Sequence, residues 1–357
     1  MSIKEIGFAF LAALSVSVIL TPMAKRVALK YGFVDKPDRR KRHLMTTPLL
    51  GGMAIYLAFG AAVLAGMLLF SGDCSMIPID WKTLCIMVIT GAGLMSIMGF
   101  VDDVFGFSPI IKLILHTIAA ILVSFIFITK GALLSVFLTG SSLAWLTAPL
   151  TLIWLVGITN SVNLLDHADG LSAGTCAIAA IFFSVLNVLA GNYSIAFISA
   201  ALAGATIGFF FYNYNPASIF MGDCGSNMLG FMLGIIAVLG VYTSEGSIRE
   251  IAVFTPIFIL ALPLIDTAFV LRYRWKTRKP LFNADRNHLA HRLMRLGLTH
   301  NQSVVVLLVL SALMGTLALL LPTLEPYQAV LLFIHALGLI CLFAFFINRA
   351  ETREKRG

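Results

Sequence analysis

The sequence predicts an all-α, polytopic integral membrane protein, and three observations carry that prediction. Of 357 residues, 59% are hydrophobic and only 12% charged, with a mean hydropathy of +0.95, a composition that ordinary soluble domains do not reach. Apolar runs near the roughly 20 residues that a helix needs to span a bilayer follow one another along the chain. The acids Asp102, Asp103, Asp166, Asp169 and Asp223 fall at the ends of those runs, where a charge costs less than at mid-bilayer.

Taken in order, the run at 6–22 is expected to be a span rather than a cleaved leader. Lys4 and Glu5 cancel before it, the positive charge of Lys25 and Arg26 follows it, and no small-residue cleavage pattern is present. Runs at 51–70, 83–101 and 109–129 give the second, third and fourth spans. The piece at 131–143 is short and broken by Gly140, Ser141 and Ser142, so it is expected to be external or re-entrant. The remaining spans fall at 144–162, 171–190, 193–212, 226–243, 251–273, 302–321 and 327–347, which makes about eleven. With no internal repeat or long soluble linker, residues 1–357 read as a single transmembrane domain.

Charge sets the expected orientation. Of the 25 lysines and arginines, only Lys4, Lys82, Lys130 and Arg249 fall on the face opposite the two basic connections. By the positive-inside rule that crowded face is cytoplasmic, with the N-terminus outside and the C-terminus inside. Counting 131–143 as a span would turn the second basic loop outward, which argues against it. The net charge of +8 lies beside membrane segments, so it reads as orientation and contact with anionic membrane lipids, with no nucleic acid as partner. The five cysteines form neither a CxxC pair nor a disulfide framework.

Parity places five polar pieces on the cytoplasmic face: 35–52, 99–112, 160–174, 213–227 and 272–300. The first runs from Asp35-Lys36-Pro37-Asp38 through Arg42-His43 to Pro48-Leu49-Leu50-Gly51-Gly52, and serves either as an orientation signal or as a phosphate or headgroup contact. The second pairs Asp102-Asp103 with Lys112. Adjacent helical residues point about 100° apart, so the two acids divide their tasks instead of forming one clamp, unless they are simply a solvated helix end. In the third piece Asn160, Asn163, Asp166 and Asp169 recur every three residues and can share one helical face as four hard oxygen donors.

The fourth piece frames Asp223 with Gly222 and Gly225 just before a helix. Such a turn offers amides to a phosphate and a carboxylate to a divalent cation, though the same pattern also makes an ordinary turn. The fifth holds His288, His291 and Arg292, which can point one way if helical. A zinc site there is disfavoured, because the other candidates are carboxylates and asparagines that suit magnesium. Asp266, after Pro263 in the ninth run, is either functional or a satisfied contact between helices. Oxygen ligands, a lysine, an arginine and histidines at a membrane edge describe a magnesium-dependent enzyme moving a phosphoryl group between a cytosolic compound and a lipid.

These motifs, in this order over about residues 20–300, resemble the polyprenyl-phosphate N-acetylhexosamine-1-phosphate transferases. The resemblance rests on Asp102-Asp103 with Lys112, on Asn160 to Gly174, on Met221 to Ser226, and on Asp285 to Arg292. It implies transfer of a sugar 1-phosphate from a UDP-N-acetylhexosamine, most commonly UDP-N-acetylglucosamine, to undecaprenyl phosphate with release of UMP. The setting it implies is the cytosolic face of a bacterial inner membrane, at the start of surface-glycan synthesis, with a homodimer as the candidate assembly. By the same resemblance Asp223 and Asn163 hold Mg²⁺, for which Mn²⁺ can substitute. Lys112 and Arg292 contact phosphates, Asp169 lies near the uridine, and Asn160 and His291 join the substrate-binding set. Asp102 or Asp103 deprotonates or positions the lipid phosphate, and Asp166 and His288 complete the catalytic set.

The chain lacks the histidine-rich segment followed by Phe-Glu of the branch acting in peptidoglycan synthesis. It departs from the common pattern at Ala290, where the family carries a histidine, and at His167-Ala168 between the two acids. An ion-coupled transporter is the alternative from another class, but neither repeated halves nor mid-membrane broken helices are visible in the sequence. A non-catalytic lipid-binding scaffold is the third reading.

Overall fold

Lipid offers backbone amides no water to bond, so each apolar run closes its hydrogen bonds within a helix. The computed structural model describes residues 1–35, 46–72, 74, 79–129, 146–240, 254–280 and 287–354, with side chains through 125 in the fourth helix and through 345 in the last. The basic stretch from Lys36 to His43, the piece at 131–143, Asp285, Arg286, Lys355 and Arg356 lie outside the described residues. Contacts divide the chain into two compact units, Met1–Val241 and Tyr242–Gly357.

In the first unit, α1 (Ile3–Tyr31) runs well past the expected boundary at 22 and stops where Gly32 takes a φ of 76°. A strand pair, β1 (Val34–Asp35) and β2 (Thr47–Pro48), leads into α2 (Gly51–Leu69). Then come α3 (Trp81–Phe105), α4 (Pro109–Thr129), α5 (Thr147–Leu165), α6 (Leu171–Leu189), α7 (Tyr193–Asn213) and α8 (Gly222–Leu239). The last two are almost wholly buried and form the centre on which the others pack. Among the described residues, nine helices are long and apolar enough to cross a membrane, so the chain is an all-α polytopic membrane protein.

Small residues let these helices approach closely, as is usual where lipid supplies no hydrophobic drive between them. A methyl at Gly204 would lie 2.2 Å from the Phe10 carbonyl oxygen, and one at Gly208 would lie 2.6 Å from Ser17 Cβ. Ser17 Oγ donates to the Ala205 carbonyl at 2.7 Å and fixes the register of α1 on α7.

The second unit contains α9 (Thr255–Ile259), α10 (Ala261–Lys276), α11 (Leu289–Arg295), α12 (His300–Leu320) and α13 (Pro326–Glu354). The expected continuous ninth span is therefore two helices, interrupted at Leu260 three residues before Pro263. Proline removes an amide donor and crowds the turn before it, so an apolar run need not be an unbroken helix. Thr299 begins α12 by reciprocal capping: its Oγ1 accepts from the Gln302 amide at 3.3 Å, and its own amide donates to Gln302 Oε1 at 2.9 Å.

Candidate functional site

The site in the first unit is assembled around the first turn of α8. β2 and the two glycines after it run alongside the segment entering that turn: the Phe220 amide donates to the Pro48 carbonyl at 2.8 Å, and the Gly51 and Gly52 amides donate to the Phe220 and Met221 carbonyls, each at 3.0 Å. Here Pro48 to Gly52 act as a backbone dock. A methyl at Gly52 would lie 2.1 Å from the Gly225 amide nitrogen, and one at Gly99 of α3 would lie 2.2 Å from the Asp223 carbonyl oxygen. Three helices thus meet backbone to backbone beneath Asp223.

The adjacent acids of α3 separate, as their angular offset requires. Asp102, only 4% exposed, takes the Phe107 amide on Oδ1 at 2.8 Å and pairs Oδ2 with Lys112 Nζ at 2.6 Å. Asp103 turns to α8, where Oδ1 accepts from the Asp223 amide at 2.8 Å and Oδ2 from the Cys224 amide at 3.1 Å. A carboxylate at a helix N-terminus gains from the unpaired amides there. The amides that the sequence reading offered to a phosphate are therefore occupied by Asp103. Gly222 is required at this corner, because its φ is 66° and a methyl would lie 2.5 Å from Asp103 Oδ2.

Asp223 accepts from Lys112 Nζ on Oδ2 and from Asn163 Nδ2 on Oδ1 at 2.7 Å, and Asn163 Nδ2 also donates to Ser226 Oγ at 3.0 Å. Asp102, Asp103, Lys112, Asn163 and Asp223 are thus one cluster. The stretch from Asn160 to Asp169 is not one helical face, however, because α5 ends at Leu165 and a turn runs to Gly170, whose φ is 77°. Asn160 bonds back along its own helix to the Val156 carbonyl at 2.8 Å. Asp169 accepts from the Ala217 amide at 3.0 Å, which ties it to the loop before α8. His167, one of the departures in this turn, is held with Nδ1 3.1 Å from the Leu164 carbonyl.

Asp166, at the end of α5, has its carboxyl held well above the ordinary range, first by burial and then by the charges of Asp223, Asp103 and Asp169. Among the described residues, Lys112 is the lysine that pairs with acids of this group. The carboxylate oxygens gathered at Asp223 are of the kind magnesium prefers, and Asn163, which here turns Nδ2 to Asp223, would offer its amide oxygen to an ion only with the amide turned over. The sequence reading missed His116, which lies buried one turn after Lys112 on α4, its Nδ1 without a hydrogen-bond partner among the described residues. The i, i+4 spacing from Lys112 was the signal available for it.

The second unit holds His288, His291 and Arg292. His288 is the residue before α11, in extended conformation, so the three do not share one continuous helix. Its Nδ1 lies 2.6 Å from Asp266 Oδ2, and Asp266 Oδ1 accepts from the Leu289 amide at 2.7 Å. The His291 ring lies 6.4 Å from that of His288. Arg292 donates through Nε to the Asn287 carbonyl at 2.8 Å, and its guanidinium lies 5.8 Å from the ring centres of both Phe269 and Tyr273.

Comparison with known proteins adds an independent line. Residues 85–241 match glycosyl transferase family 4. The chain is 36% identical to the probable undecaprenyl-phosphate N-acetylglucosaminyl 1-phosphate transferase of Bacillus subtilis, over 89% of this chain and 85% of that protein. It is 29% identical to the decaprenyl-phosphate N-acetylglucosaminephosphotransferase of Mycolicibacterium smegmatis, over 85% and 79%. With the undecaprenyl-phosphate alpha-N-acetylglucosaminyl 1-phosphate transferase of Escherichia coli K12 it shares 28% identity over 83% and 78%.

Proposed function

The chain belongs to the polyprenyl-phosphate N-acetylglucosamine-1-phosphate transferases of glycosyl transferase family 4, and from that membership we propose that it transfers N-acetylglucosamine 1-phosphate from UDP-N-acetylglucosamine to undecaprenyl phosphate. An oxygen of the acceptor phosphate forms a bond to the sugar-bearing phosphorus, the diphosphate linkage breaks, and UMP leaves. The observation that carries this reading is the cluster in which Lys112 lies between Asp102 and Asp223 while Asn163 holds the other oxygen of Asp223. The transporter alternative finds no support in the three relatives compared above, each of which is named as a transferase.

The residues divide the work by chemistry. Asp102 or Asp103 positions or deprotonates the acceptor phosphate, and Lys112 and Arg292 contact phosphate oxygens. Asp169 belongs to the nucleotide side, with Asn160 and His291 among the substrate contacts, and His288 handles a proton. Asp223 and Asn163 hold Mg²⁺, for which Mn²⁺ can substitute; the ion would neutralise phosphate charge as the bond changes hands. In this reading the N-terminus lies outside and these residues face the cytosol of a bacterial inner membrane, where the reaction is the first membrane step of surface-glycan synthesis; the excess of lysine and arginine on that face supports it. A homodimer is the assembly to test.

Purified protein given UDP-N-acetylglucosamine, undecaprenyl phosphate and Mg²⁺ is expected to release UMP, and Asp223→Asn to lower that rate at least about 100-fold, the scale of losing one charged stabilising group. Absence of UMP with any UDP-N-acetylhexosamine overturns the enzymatic reading. Retained activity in Asp223→Asn overturns only the metal assignment.

A further inference from the structure

In the first unit α3 packs on α8, α8 on α5, α5 on α4 and α4 on α3, so α4 and α8 stand diagonally across a four-helix ring. Two side-chain stripes face each other over that diagonal. On α4, Lys112 and Val123 lie three turns apart on one face, with His116 between them. On α8, Asp223, Asn227 and Phe231 follow at four-residue spacing. The stripes meet at both ends. At one end Lys112 Nζ pairs with Asp223 Oδ2. At the other, Val123 and Phe231 converge on Gly91 of α3, where a methyl would lie 3.8 Å from Val123 Cγ2 and 3.5 Å from Phe231 Cε1. His116 and Asn227 are enclosed between these two contacts.

Both are polar and deeply buried, His116 being 3% exposed and Asn227 2%. The His116 ring reaches the Asn160 side chain of α5, yet its Nδ1 has no hydrogen-bond partner among the described residues, and neither has Asn227 Oδ1. A buried polar atom left bare is costly, and two of them on facing stripes can be satisfied by one small molecule between them. Water fits this pair whichever nitrogen of the ring carries the proton. It donates to Asn227 Oδ1, which only accepts, and either donates to His116 Nδ1 or accepts from it. The Lys112 ammonium, one turn away, is already shared by Asp102 and Asp223.

We infer that His116 and Asn227 form a water-bridged polar layer one turn beneath the carboxylate cluster, and that this layer positions Lys112 by tying α4 to α8 across the ring. Beyond His116 the interior side of α4 carries Ala119 and Ala120, both buried and too small to fix how far α4 slides along its neighbours. A directional hydrogen-bonded bridge sets that position, and with it the place where the lysine reaches Asp223. The inference rests on the proposed transferase activity for its effect on turnover, but not for the bridge itself.

The test is a double-mutant cycle on the full-length protein. His116→Leu and Asn227→Leu each strip one side of the bridge and leave the other bare, so each should lower the unfolding midpoint by about 2–4 °C. The double variant, with both polar groups gone, should lose no more than either single one, and additive losses overturn the bridge. UMP release should fall at least about 10-fold in His116→Leu and recover in His116→Gln, whose amide keeps a polar group within reach. Leucine fills the space of the ring, so a His116→Leu variant as active as wild type, or a His116→Gln variant as impaired as His116→Leu, overturns the positioning role. A crystallographic map that resolves ordered water should show one within hydrogen-bond distance of both His116 Nδ1 and Asn227 Oδ1, and a clear map without it overturns the water. Should the single variants fail to fold, the wild-type map remains decisive. Wild-type protein that releases no UMP defeats the transferase reading, and the midpoints and the map still decide the bridge.

Discussion

At the scale of single residues, Asp166 has the most telling dependence on its surroundings. Its carboxyl is held above the ordinary range by burial and by three neighbouring acids, so between its unfolded value of about 3.9 and its raised folded value the native state binds the extra proton. Metal-free protein therefore loses stability as pH rises through that window. Asp166→Asn should remove this loss, leaving the variant more stable than wild type at neutral pH in chelator and equal to it near pH 4. Thermal unfolding across pH checks the sign, and a variant less stable at neutral pH would refute it. The sequence made the acids legible, because charge at the ends of apolar runs is conspicuous. Their partners were not legible: Asp103 meets amides on a helix five elements later, and Asp266 meets a histidine beyond a basic loop. Such pairings depend on the path of the chain, which spacing does not encode.

At the scale of elements, the glycines beneath Asp223 set how near α2, α3 and α8 can come. Gly99→Ala drives a methyl into the Asp223 carbonyl, where backbone rather than a flexible side chain must yield. It is expected to cost about 1–3 kcal/mol of stability and to depress UMP release further by shifting Asp223 from Lys112 and Asn163. Gly157→Ala, on an exposed face of α5 with open space around it, is the matched control and should stay within about 1 kcal/mol of wild type. Unfolding midpoints measured side by side separate the two, and equal behaviour would contradict the seat assigned to Gly99. Helix existence was readable from apolar runs, but helix endings were less so. The three-residue recurrence from Asn160 to Asp169 fits a helix, yet the chain leaves it at Leu165 because a turn ending at a left-handed glycine carries Asp169 to Ala217.

At the scale of the whole molecule, hydropathy pointed to the nine described helices that are long and apolar enough to cross a membrane, since lipid forces backbone groups to bond within their own segment. It did not reveal the interruption at Leu260 or the division into two units, which arise from local backbone and packing rather than average apolarity. Orientation is tested by placing single cysteines at Ser2 and Thr277 in an otherwise cysteine-free protein. An impermeant thiol reagent should reach the first in intact cells and the second only after permeabilisation; the reverse pattern would invert the proposed topology.

The pairing of Pro48, Gly51 and Gly52 with Phe220 and Met221 joins pieces separated by six helices of chain. A ribosome delivers the early piece long before the later one exists. Throughout that interval the dock has no guest, and the amides destined for Asp103 have yet to be made. The carboxylate cluster is thus among the last parts of the first unit to assemble, so a translation product ending before Gly222 inserts helices into the bilayer without completing that cluster. Nascent chains halted there should be preferred targets for membrane quality control, since they carry Asp103 without the α8 amides that it accepts from in the folded protein.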